Sequence, residues 1–212
     1  MDRESYQPGR ITEPKLLLAE GADACYFCIW AKQAYGVTGL QVMDFGGIGE
    51  LARRLQTVQL VTGYDVVESL GVIRDAEEDA AAAFASVRGA FDKAGLTAPS
   101  QPYEVAAGSP RTGVFLFPGP APDEGGPRCG TLEDLCMATV ENQPVRHCID
   151  SFMDCLRQAG GDLRRPHKAR VHSYLAGNNS FVGLKLGEAA KAGAWDWRHR
   201  QMEPFERFLR TL

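Results

Sequence analysis

No segment of the chain approaches the roughly 18 consecutive apolar residues of a membrane-spanning helix. Residues 1–10 are polar and contain proline and glycine, with no apolar run behind a basic flank, so the expectation is a cytoplasmic protein without a secretory leader and without a membrane partner. Histidine is scarce. The four present, His147, His167, His172 and His199, fall late in the chain, and with no G-x-S-x-G elbow they leave no candidate for a serine-based triad. Positive charge is not in excess either: a formal net charge of −4 argues against a protein that coats nucleic acid indiscriminately. The six cysteines complete no zinc signature, and a chain with 44% apolar residues needs no disulfide staples, so reduced thiols are expected. Cys25 and Cys28 sit in strongly apolar surroundings and read as small buried hydrophobes. The spacing of seven in Cys129/Cys136 and Cys148/Cys155 would put each pair on one helix face.

What is present is enough apolar sequence for one domain of 212 residues, patterned as alternating strands and helices. Strands are predicted over 15–20 and 40–45, each followed by a helical pattern, over 22–35 and 50–60. A third strand over 69–74 runs into Asp75-Ala76-Glu77-Glu78-Asp79, which opens an alanine-rich helix reaching about Ala94. Residues 97–127 are rich in proline and glycine around short strands at 103–106 and 113–117, either a hairpin or a fourth core strand with a loop. Helices follow from Thr131, over 145–159 and up to Leu175, with a basic loop over 160–167, and the chain closes on helical pieces around Trp195-Asp196-Trp197. This gives a flexible N-terminus over 1–12, an α/β core over 13–140 with a mainly parallel sheet of about four strands flanked by helices, and a helical, basic flank over 141–212. In such a sheet, sites form beyond the carboxyl ends of the strands.

Charge is divided along the chain. Residues 1–139 carry 11 Lys/Arg against 19 Asp/Glu, and residues 140–212 carry 12 against 8. An acidic front with a basic back suits a metal-bound site beside a phosphate-binding surface. The acidic residues recur at predicted strand ends and helix starts: Glu20-Gly21-x-Asp23, Asp75-x-Glu77-x-Asp79, and Glu133-Asp134. Clustered carboxylates repel one another, and a hard cation such as Mg²⁺ or Mn²⁺ relieves the repulsion by taking their oxygens as ligands. Two such ions about 3.5–4 Å apart would activate a water and stabilise the leaving oxygen of a phosphodiester. Glycine directly after Glu20 permits the tight turn that aims this carboxylate at the sheet edge.

The segments LLLAEG, with Glu20, and GVIRDAEED, with Asp75 and Glu77, resemble the TOPRIM family, the metal-binding fold of topoisomerases, bacterial primases and overcoming-lysogenisation-defect nucleases. Glu77 stands where that family has a second aspartate. The chain is similar in particular to small stand-alone TOPRIM-like proteins near those nucleases, through GTLEDLC around Glu133, RPHKARVHSYLA around Lys168, and the closing AWDW and PFERFL segments. The resemblance implies magnesium-dependent phosphodiester cleavage of DNA or RNA. It implies Glu20 as acid/base or ligand, Asp75, Glu77 and Asp79 as metal ligands with Asp23 as a helper, and Glu133 as a further acid. It also implies Lys168 as the cation at the scissile phosphate.

Lys168 lies among Arg157, Arg164, Arg165, His167, Arg170 and His172, where a lysine suits a developing phosphorane charge and Arg164, Arg165 and Arg170 suit flanking phosphates. An alternative is a non-catalytic module that binds nucleic acid or a partner protein through the same scaffold; a homo-oligomer is also compatible. A lesser one is a dinucleotide-binding oxidoreductase, because Gly47-Ile48-Gly49 has the letters of a phosphate-binding turn between strand and helix, although the next strand-end acid, Asp75, is about 26 residues on rather than about 20.

Overall fold

Leu16, Leu17, Leu18 and Ala19 are all fully buried in one strand, β1 (Lys15–Glu20), although successive side chains point to opposite sides. Only a strand covered on both faces allows this, and a parallel sheet is covered on both. The computed structural model describes residues 9–121 and 126–212. In it β1 lies between β2 (Leu40–Gly46) and β3 (Ser69–Asp75), parallel to both, and β3 pairs in parallel with β5 (Arg111–Phe117). A two-residue strand, β4 (Val105–Ala106), is antiparallel to β5 and completes the order β2-β1-β3-β5-β4. The sheet therefore has five strands rather than about four, because the region around Pro110 supplies both a core strand and a hairpin partner.

Helices cover the two faces unequally. Leu16 and Leu18 join the cluster formed with α2 (Leu51–Val58) and α3 (Ala80–Lys93). Leu17 and Ala19 face the other, larger cluster, built by α1 (Gly21–Ala34), α4 (Leu132–Ala138), α5 (Val145–Gln158), α6 (Pro166–Ala176), α7 (Leu186–Lys191) and α8 (Glu203–Thr211). Phe27 of α1 meets Phe117, Trp197 and Phe205 at ring-centroid distances of 5.9, 5.0 and 5.7 Å. The C-terminal segment expected as a flank is thus part of the core itself: Phe205 of α8 packs against Phe115 and Phe117 at ring-centroid distances of 5.2 and 5.4 Å. Among the described residues no helix is long and apolar enough to cross a membrane.

Two boundaries differ from the sequence reading. The tail expected over 1–12 ends before Ile11, which is buried and whose N–H donates to Thr62 O at 2.8 Å, while the Thr12 N–H donates to Gln41 Oε1; residues 1–8 lie outside the described residues. The acidic run does not form a helix's first turn. Asp75 closes β3, and α3 starts only after Asp79, whose Oδ1 accepts the Ala82 N–H as an N-cap.

Gly71 of β3 and Gly113 of β5 are register partners, and together they make a depression in which α8 seats Phe208 and the side chain of Leu212. A Cβ on Gly113 would stand 2.9 Å from Phe208 Cε2, and one on Gly71 would stand 2.7 Å from both Leu17 Cδ1 and Leu212 Cδ2. Overpacking of this kind costs about 1–3 kcal/mol. Gly113→Ala is therefore expected to lower the urea midpoint by an equivalent amount, and an unchanged midpoint would mean that α8 does not rest on these glycines.

Candidate active site at the carboxyl end of the sheet

Glu20 and Asp75 are the last residues of adjacent parallel strands, so the sheet delivers both carboxylates to one edge. The chain leaves β1 through Gly21, whose φ of +79° lets α1 begin at once. Asp44 of β2 fixes this turn: its Oδ1 accepts the N–H groups of Gly21 at 3.0 Å and Gly46 at 2.7 Å. On the other side Asp75 Oδ1 accepts the Leu132 N–H at 2.8 Å, which ties the start of α4 to the end of β3. Thr131 and Asp134 form a reciprocal capping box there. Asp134 is thereby used for the cap, whereas the half-turn between them carries Glu133, nearly buried, to Lys168 Nζ at 3.7 Å.

The electrostatics identify a cluster. Burial first, then the charge of Glu133, with smaller contributions from Glu77 and Glu20, raise the Asp75 carboxyl from 3.8 to about 7, against the opposing Leu132 amide. Burial also raises Glu20, partly offset by Arg74 and the Ile48 amide, while Glu77 pushes it further up. Glu20, Asp75, Glu77 and Glu133 therefore share one field, and Asp75 is where it concentrates. Glu77 adopts a left-handed backbone, φ +55°, uncommon for a residue with a side chain, and is held in it by two backbone hydrogen bonds with Gly130, at 2.9 and 2.7 Å.

Two expected ligands stand apart from this centre. Asp23 is exposed on the first turn of α1, and Asp79 is the exposed cap of α3; neither contributes to the field at Asp75. Lys168 lies in the first turn of α6, which starts at Pro166, slightly inside the stretch expected as a basic loop. Of the arginines, Arg164 pairs with Asp162 at 2.7 Å, Arg165 is exposed at the start of α6, and Arg170 reaches Asp150 at 3.6 Å.

Arg74 and Asp44 were not singled out from the sequence. The Arg74 side chain is only 9% exposed, its Nε lies 3.3 Å from Glu20 Oε2, and it donates to Asp75 O. A legible signal existed: an arginine inside the apolar run SLGVIR must find a carboxylate if the strand is buried.

The donor chemistry suits a hard divalent cation. Carboxylate oxygens dominate, and the part of the rise at Asp75 that follows burial comes from the charges of Glu133, Glu77 and Glu20, which a cation would relieve. Glu20, Asp75, Glu77 and Glu133 are the residues that could hold one. As the side chains stand, no three His, Cys, Asp or Glu among the described residues converge to a ligand set, with Glu20 turned to Arg74 and Glu133 to Lys168. The thiols offer no alternative centre. Burial pushes Cys25 up to about 12 and Cys28 well above its usual value, opposing the thiolate that redox chemistry needs. Cys129 precedes α4, so it shares no helix face with buried Cys136, whereas Cys148 and Cys155 are both exposed on α5.

Fold and site together define an α/β protein whose parallel sheet gathers an acidic cluster at its carboxyl edge, faced by a basic helix. The chain belongs to the family described as protein of unknown function DUF3226, the match spanning residues 14–212. No curated protein and no solved structure matches it.

Proposed function

We propose that this protein is a TOPRIM-like, Mg²⁺- or Mn²⁺-dependent nuclease that cleaves phosphodiesters of DNA or RNA at the Glu20, Asp75, Glu77 and Glu133 cluster. The observation that carries the reading is the Asp75 carboxyl, partly buried at a strand end with three other carboxylates nearby and raised to about 7 by desolvation and by their charge. Carboxylates are kept together against their repulsion where a cation is to be bound. The bound ion would polarise the phosphate and lower the pKa of a water. The chain's own groups supply the rest: Asp75 and Glu77 hold the ion, and Glu20, raised by burial, takes or returns a proton at the attacking or leaving oxygen. Lys168, next to Glu133, faces the non-bridging oxygens, and Arg164, Arg165 and Arg170 hold neighbouring phosphates.

The test is cleavage of plasmid and of single-stranded DNA and RNA in Mn²⁺, with Asp75→Asn as control. Cleavage by the wild type that the variant lacks supports the reading; identical traces from both proteins reject it. A second reading, a non-catalytic module that binds nucleic acid or a partner protein, is favoured by a specific observation: Arg74 and Lys168 already neutralise Glu20 and Glu133 from within the chain. It requires nucleic-acid or protein binding with no metal-dependent turnover.

A further inference from the structure

We infer that a second site, one strand away from the carboxylates, binds a phosphate group through Arg54. A cavity of about 390 Å³ opens at the carboxyl end of β2, lined by Asp44, Gly46, Glu50, Arg53, Arg54 and Thr57. Every charged side chain in its wall except Arg54 is committed. Asp44 Oδ1 accepts two backbone N–H groups, and Glu50 and Arg53 pair with each other. Arg54 Nε and Nη2 are shut off from solvent and meet no acceptor among the described residues, and no ion pair compensates the guanidinium. Arg54 as a whole is only partly buried, but two enclosed donors without an acceptor are costly to fold around, and the guanidinium fork matches the oxygens of a phosphate. The glycine-rich turn Gly46-Gly47-Ile48-Gly49 leaves room beside it, since a Cβ on Gly46, Gly47 or Gly49 would meet nothing within 4 Å.

Position says which phosphate. Gly46 is the register partner of Glu20, and neighbouring strands are about 4.8 Å apart, so the cavity lies within roughly one or two strand spacings of the acidic cluster. That separation is on the scale of one nucleotide. Arg54 then takes the phosphate next to the one at the carboxylates and fixes the register of the strand. This assignment of source rests on the nuclease reading, whereas the phosphate site itself does not.

Inorganic phosphate is the probe, titrated by thermal unfolding without metal and at constant ionic strength. Phosphate should stabilise the wild type, and Arg54→Gln should weaken its apparent affinity at least about tenfold, with partial recovery in Arg54→Lys. Without phosphate, Arg54→Gln should unfold no lower than the wild type, because it removes donors that have no partner. Equal stabilisation of all three proteins, or of none, overturns the site. In a second arm, a single-stranded oligonucleotide should displace phosphate from the wild type. Phosphate that is held through Arg54 and that no oligonucleotide displaces overturns the strand as its source and assigns the cavity to free phosphate or a small monoester. Neither arm reads cleavage, so a protein that cleaves nothing can still pass, and a nuclease can still fail.

Discussion

Replacing Asp75 with asparagine is expected to raise the unfolding temperature of the metal-free protein at pH 8 while lowering Mn²⁺-dependent cleavage by at least about 10²–10³-fold. Folding raises this carboxyl from 3.8 to about 7, so the fold favours its protonated form. Stability from this group is fully present below about pH 4 and is lost as pH rises through 7, where a buried charge must be carried beside Glu133, Glu77 and Glu20. Asparagine resembles the protonated acid and can still accept the Leu132 N–H. Its advantage should therefore vanish at pH 4 and grow to roughly 2–4 kcal/mol at pH 8, about 5–10 °C in a chain of this size. Mn²⁺ should reverse the order by stabilising the wild type alone, with an affinity that rises from pH 6 to 8 as the ion displaces the proton. An Asp75→Asn protein that is less stable than the wild type at pH 8 in the absence of metal would contradict the electrostatic basis of the site.

Lys168→Ala should cost turnover more than binding. In phosphodiester cleavage the added negative charge appears on the non-bridging oxygens, so a cation held there stabilises the transition state more than the ground state. A loss of roughly 10²–10³-fold in kcat with little change in KM is expected. Removing Arg164 and Arg165 together should do the opposite, weakening binding and reducing the slope of log K against log salt by about 1.4–1.8 for two lost phosphate contacts. The 3.7 Å approach of Lys168 to Glu133 supplies a competing role, that of a structural counter-ion. The two roles separate experimentally: a counter-ion would show in the unfolding midpoint and in the pH dependence of folding, whereas a variant that binds poorly yet turns over normally at saturation would make Lys168 a phosphate-holding residue like Arg164 and Arg165.

The sequence alone determined the order of strands and helices as far as Lys93, because unbroken apolar runs such as KLLLAE and SLGVIR can be satisfied only by strands covered on both faces. It also placed Glu20 at the end of one strand and Asp75 directly after the end of another, although the acidic run from Asp75 read as the start of a helix rather than as a turn. It could not distinguish acids that meet from acids that merely cap. Asp79 and Asp75 look alike in DAEED, yet one receives its own helix's amide and the other, partly buried, receives the amide of Leu132, 57 residues later. Nor could it weigh the C-terminal third, whose amphipathic pattern fits a surface flank as well as a core layer. Only the packing shows Phe205 and Phe208 covering β5 and Leu212 resting over Gly71 and Gly113. The physical reason is the same in each case. Periodicity along a chain records which side of an element avoids water, and what lies against that side is decided by residues far away in sequence.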